Sequence, residues 1–196
     1  MTRMSLAERR HKLIEAALRV IGESGVPAAT TRAIAAEAGM PLASFHYAFE
    51  SHQNLMGEAL SALVTGELAD DVAWRPEGDS VEGLVASILG HHLDDLVART
   101  EVHRTLSELC DYALRTEGLQ EVPAEWRQRR LERLTASLEA HERATGIRLP
   151  RPVDDFAQYL LVTCDGMTGT YLATHDEGLV RGVAGSCSTM VGSIAA

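Results

Sequence analysis

Apolar residues recur every three or four positions along almost the whole chain, and nowhere do they alternate long enough to make a useful strand. That period commits the sequence to helices packed on helices. Ser5-Leu6-Ala7-Glu8 fits a capping box, and Leu13, Ile14, Ala17, Leu18 and Ile21 then keep helical spacing until Gly25 and Pro27. Thr30 or Thr31 caps a short second helix with Ile34, Ala35 and Ala38 apolar and Gly39 as its stop. Pro41 suits the first turn of a third short helix through Phe49. Ser51 caps a fourth helix to about Asp71, and Pro76-Glu77-Gly78-Asp79 is the clearest break. Asp79 or Ser80 caps a fifth helix that carries Val81, Leu84, Val85, Ile88, His92 and Leu96. A sixth covers Val102 to about Thr116, a seventh Pro123 to Thr145, an eighth about Pro152 to His175, and a ninth about Leu179 to Ile194.

The 196 residues suffice for one large core, or one core with a small satellite domain. With 45% hydrophobic and 23% charged residues, a disordered or collagen-like chain is excluded. The net charge of -10 is unevenly placed. Residues 1–57 hold six basic and five acidic side chains, whereas the remainder carries a large acidic excess. An acidic body repels phosphate, so only the first segment could meet nucleic acid. Cys110, Cys164 and Cys187 are odd in number and widely spaced, which points to reduced thiols rather than a disulfide framework or zinc ribbon. The N-terminus shows no apolar signal core, and the longest uncharged stretch, Gly182–Ala196, is too short and polar to span a bilayer. The expectation is a cytoplasmic protein with no membrane partner.

The run from Thr31 to Phe49 is the informative one. Ala35 is small where two helices must approach, and Gly39 lies where a tight turn needs positive φ. Ile34, Ala38, Met40 and Phe45 fall where two short helices bury a shared face. Such a pair holds its second helix rigidly enough to enter a major groove. An ordinary helical hairpin in a core shares the spacing.

The surroundings separate these readings. Residues 8–25 read ERRHKLIEAALRVIGESG, residues 29–39 ATTRAIAAEAG, and residues 44–55 SFHYAFESHQNL. Together they resemble the N-terminal domain of the TetR family of one-component transcriptional regulators, over roughly residues 8–60. The resemblance implies an all-α, nine-helix, two-domain regulator: a helix-turn-helix DNA-binding domain over residues 1–52 and a helical effector-binding and dimerisation body over 53–196. It also implies a homodimer on a palindromic operator, a small-molecule effector in the body, repression as the usual outcome, and no catalytic role. Four positions depart from the family pattern: His46 replaces the first aromatic of the recognition helix, His52 replaces a lysine, and Leu42 and Ala43 replace more polar residues. A neutral histidine can donate to phosphate but carries no fixed charge, and Leu42 and Ala43 favour thymine methyl contacts.

With that placement, Thr30, Thr31 and Arg32 start the second helix, where hydroxyl, backbone N–H and guanidinium can meet phosphate. Arg32 could instead pair with Glu37 or Glu8. Leu42, Ala43, Ser44 and His46 lie where base edges would be read, Tyr47 orients against backbone phosphate, and His52 stands at the start of the fourth helix. Phe45 and Phe49 are assigned to core.

In the body, His92 interrupts the stripe Ile88–Leu96, either as a satisfied core residue or as a polar anchor in an apolar pocket. Cys110, Trp126, Tyr159, Thr163 and Met167 could line the same space for an effector. His91, His92, Asp94 and Asp95 lie close together without a further metal ligand, and no metal or cofactor is assigned. The resemblance also implies a dimer interface on the eighth and ninth helices, to which Asp165, Gly166 and Gly169 are assigned: mid-helix glycine costs about 0.5–1 kcal/mol, which close helix approach would justify, a ligand approaching the backbone being the weaker alternative. An all-helical enzyme or binding module is the competing class, but no HExxH, GxGxxG, P-loop or GxSxG motif supports it. A thiol sensor at Cys110 or Cys164 is narrower still, since thiols on apolar faces are inert.

Overall fold

The structure, a computed structural model, describes residues 4–70 and 75–195. Among them are nine α-helices and no strand: α1 (Leu6–Ser24), α2 (Thr31–Glu37), α3 (Leu42–Ala48), α4 (His52–Asp70), α5 (Val81–Ala98), α6 (Thr100–Leu114), α7 (Glu121–Thr145), α8 (Val153–Thr174) and α9 (Glu177–Ala195). A short 3-10 turn, Val26–Ala28, links α1 to α2. The expected end of the fourth helix at Asp71 lies outside the described residues.

Local chemistry sets the boundaries. The Ser5 capping box is complete, with Ser5 N–H donating to Glu8 Oε2 at 2.7 Å and Glu8 N–H to Ser5 Oγ at 3.2 Å. Ser80, rather than Asp79, caps α5 by accepting from Gly83 N–H at 3.1 Å. Pro41 sits one residue before α3, at its N-cap.

The chain forms two compact units. The first combines residues up to 70 with 101–125. Its buried side chains are Leu13, Ala16, Ala17 and Ile21 of α1, Ile34 of α2, Phe45 of α3, Leu55, Met56 and Leu60 of α4, and Leu106 and Leu109 of α6. Each large aliphatic side chain so buried contributes about 1.5–3 kcal/mol. α6 is tied in by a polar link as well: Glu108 Oε2 accepts from Val26 N–H at 2.8 Å. Packing therefore groups α4 and nearly all of α6 with α1–α3.

The second unit holds α5, α8, α9 and most of α7. Leu84, Leu89, Leu93 and Leu96 of α5 meet Leu160 and Met167 of α8, Val180 and Ala184 of α9, and Leu138 of α7. Among the described residues, no helix is long and apolar enough to cross a membrane.

Candidate nucleic-acid interface

The α2–α3 turn rests on one backbone conformation. Gly39 has φ +65°, its N–H donates to Ala36 O at 3.0 Å, and Met40 N–H reaches back to Ala35 O at 2.9 Å. A Cβ on Gly39 would meet nothing within 4 Å, so the sign of φ, not crowding, calls for glycine there. Ile34, Ala35 and Phe45 are buried, while Ala38 and Met40 are half-buried at the edge of the shared face. Phe45 and Phe49 are both core, with ring centroids 5.8 Å apart. α3 is thus fixed on its inner side and presents Ala43, His46 and Tyr47 outward, with Leu42 and Ser44 half-buried beside them. Thr30 Oγ1 caps α2 by accepting from Ala33 N–H at 3.2 Å, Thr31 is half-buried, and Arg32 is exposed.

The arginines of α1 and α2 divide by their partners. Arg10 is held by the Glu58 carboxylate and the Ala48 carbonyl, with its guanidinium 4.4 Å from the Phe49 ring centroid. Arg19 pairs with Glu37 at 2.7 Å. Arg32 pairs with neither expected acid. Glu37 is taken by Arg19, and Glu8 is engaged by Ser5, whose backbone N–H, followed by its side chain, holds the Glu8 carboxyl below the usual range. Arg32 has no ion-pair partner among the described residues. His52 Nε2 lies 2.6 Å from Ala29 O, where a ring N–H donates to the carbonyl and ties the start of α4 to the turn before α2. Sequence reasoning missed Arg9, whose Nη1 donates to Ser44 Oγ at 3.0 Å and whose guanidinium sits 5.3 Å above the Tyr47 ring. The adjacent Arg9-Arg10 pair was visible as charge, but no local pattern shows which of the two turns toward α3.

The second unit accounts for most of the body residues. His92 Nε2 lies 3.0 Å from Cys164 O and 2.9 Å from Thr168 Oγ1, as a satisfied, half-buried histidine would. Met167 and Cys164 are buried in the core, and Thr163 Oγ1 donates to Tyr159 O at 2.9 Å. Partial desolvation, then its contact with Cys187, raises the phenol of the still-exposed Tyr159 above its ordinary pKa. Trp126 is half-buried under the Arg130 guanidinium at 4.8 Å. Cys110 is half-buried on α6 and belongs to the first unit. Asp94 pairs with Arg181 at 2.9 Å and Asp95 with Arg99 at 2.7 Å, so both carboxylates near His91 have cationic partners.

The outer face of α8 and α9 is different in kind. Asp165 takes Arg127 at 2.7 Å and Arg130 at 2.9 Å. Gly166 and Gly169 are exposed, and a Cβ on either would meet nothing within 4 Å. The close helix approach expected at these glycines is therefore not made among the described residues. Elsewhere on α8 and α9, Tyr159, Val162, Leu179, Val183 and Met190 are exposed large side chains.

Two short helices crossing at Gly39, braced by α1 and leaving one helix face open, define a helix-turn-helix module of the DNA-binding kind, joined to a helical body. Comparison with known proteins gives the family. Residues 13–59 match the model of bacterial regulatory proteins of the tetR family. The nicotine-responsive transcriptional repressor HdnoR of Paenarthrobacter nicotinovorans is 44% identical over 62 residues, 32% of each chain. The match thus spans about a third of the length of the curated relatives. The TetR-family protein SCO1917 of Streptomyces coelicolor A3 is 31% identical, with a TM-score of 0.65, covering 90% of this chain and 96% of that one. The multidrug binding protein EbrR, solved with imidazole, is also 31% identical, with a TM-score of 0.66, over 90% and 93% of the two chains. The chain belongs to the TetR family of transcriptional regulators, which are not enzymes.

Proposed function

We propose that this protein is a cytoplasmic repressor that holds a palindromic operator as a homodimer and releases it when a small molecule binds the body. In this division residues 1–52 do the reading and residues 53–196 serve effector binding and dimerisation. The observation that carries the proposal is the open face of α3, with an exposed guanidinium at the start of α2, Arg32, that no carboxylate among the described residues neutralises. Thr30, Thr31 and Arg32 would meet phosphate, Leu42, Ala43, Ser44 and His46 would meet base edges, and Tyr47 and His52 would lie along the backbone. HdnoR is a repressor, which supports repression here. EbrR is a multidrug binding protein, which supports a small-molecule effector. His92, Trp126, Tyr159, Thr163 and Met167, all of the second unit, are the residues proposed to meet it.

The α8–α9 face supports the dimer. Exposed glycines with no neighbour among the described residues gain a physical reason if a second copy packs there, and the exposed apolar side chains of α8 and α9 offer such a copy surface to bury. Asp165, Gly166 and Gly169 are assigned to that contact. A dimer would hold two recognition helices about 34 Å apart, one duplex turn. An effector releases the operator only through different affinities for the two states of the protein.

Selection from a random duplex pool tests this reading, with enrichment of one palindrome expected. Arg32→Ala should weaken binding to that duplex about tenfold and lower the salt dependence of log K by about 0.9 for each lost phosphate contact. A pool that shows no enrichment would overturn the proposal.

A further inference from the structure

Arg9 and Arg10 are neighbours on α1, yet they meet opposite fates. Arg10 is turned inward and neutralised by Glu58. Arg9 is turned to the open side of α3, where its one hydrogen bond among the described residues goes to a neutral hydroxyl, Ser44 Oγ. Its Nε is buried and has no partner among the described residues. A guanidinium offers five donors and cannot be deprotonated, so burial of part of it against a hydroxyl and an aromatic face leaves its charge uncompensated. The ring beneath it, Tyr47, is 65% exposed on the proposed reading face. A delocalised planar cation stacked on an aromatic ring is pre-ordered for bidentate capture of an oxyanion.

We infer that Arg9 is a DNA-contacting residue: it closes on a backbone phosphate of the operator and, through Ser44 and Tyr47, fixes two side chains of the recognition helix at the same time. The inference rests on the operator-binding reading above and adds to it a contact from α1. Because Ser44 Oγ accepts from Arg9, its own hydrogen remains available to donate outward. Arg9 thereby couples a sequence-blind anchor to a side chain placed at a base edge.

The test is a salt titration of operator affinity for the full chain and for Arg9→Ala, Arg9→Lys and Arg32→Ala. In a dimer Arg9→Ala removes two phosphate contacts, so the slope of log K against log salt should fall by about 1.8, with roughly tenfold or greater loss of affinity. Arg9→Lys keeps the charge and should keep the slope while losing part of the affinity. An unchanged slope in Arg9→Ala would overturn the phosphate contact, even if affinity fell, because a residue that only braces α3 changes affinity without changing ion release. If Arg9→Ala lost its helical signal, the proposal would stand or fall on Arg9→Lys, and a slope reduced to the level of two missing contacts in that variant would overturn it. Loss of slope in Arg32→Ala with none in Arg9→Ala leaves the operator reading intact and sinks only the inference. Absence of duplex binding by the unaltered chain sinks both.

Discussion

The outer face of α3 and the outer face of α8–α9 are both left unfinished within the chain, but in opposite ways. On α1 and α2 the unfinished groups are donors: among the described residues Arg32 has no acid, and the buried Nε of Arg9 has no acceptor. On α8–α9 they are apolar side chains and glycines with empty space above them. Uncompensated cations ask for a polyanion, whereas uncovered apolar surface and absent Cβ atoms ask for another packed helix. The identity of a partner can thus be read from what a surface lacks as well as from what it displays.

A charge on the apolar face should break the contrast most severely. Val183→Glu alters an exposed residue and should change the stability of the isolated chain by no more than about 0.5 kcal/mol. Beneath a second copy the same carboxylate is buried unpaired, at a cost of several kcal/mol. Sedimentation should therefore show a monomer, and operator affinity should fall by about a hundredfold or more. A Val183→Glu protein that stays dimeric would remove the contrast.

Gly169→Ala sharpens it with a smaller effect. In the isolated chain the added methyl meets nothing, so alanine should stabilise α8 by about 0.5–1 kcal/mol. Against a copy it intrudes on the contact. We expect chemical denaturation at two protein concentrations to show a net loss, largest where the dimer is most populated. A gain of the full amount at both concentrations would mean that no helix packs there.

The smallest effect belongs to the start of α1, which presents Arg9. The Glu8 carboxyl is held below its ordinary pKa by Ser5, so its contribution is complete above that ordinary value and fades as pH falls through the lowered one. Melting curves of Glu8→Gln and the unaltered chain should differ at pH 7, and the gap should narrow as pH falls below the ordinary carboxylate range. A constant gap would show that Glu8 acts through packing rather than charge.

Helix positions were legible because caps and stops are local. Ser5 with Glu8, Thr30, Gly39 and Pro41 each announce a boundary within four residues of themselves. Phe45 and Phe49 could be placed in the core from their spacing alone. The distribution of charge could not be foreseen, because Arg10 meets an acid 48 residues away and Arg19 one 18 residues away. A near-neutral total over residues 1–57 hid two committed arginines and two uncommitted ones. His92 was open between two readings for a similar reason, since its partners, Cys164 and Thr168, lie more than 70 residues further on.

The link from Glu108 to the Val26 backbone has a consequence for biosynthesis. The first compact unit is discontinuous: the chain leaves it after residue 70 and returns at 101. During translation the α1–α2 connection emerges without the carboxylate that later holds it, since Glu108 follows Val26 by 82 residues. At roughly 5–20 residues per second that is a delay of several seconds. A nascent chain stalled before α6 carries the recognition helix but lacks part of the unit that steadies it, so DNA reading matures late, after much of the polypeptide has been made.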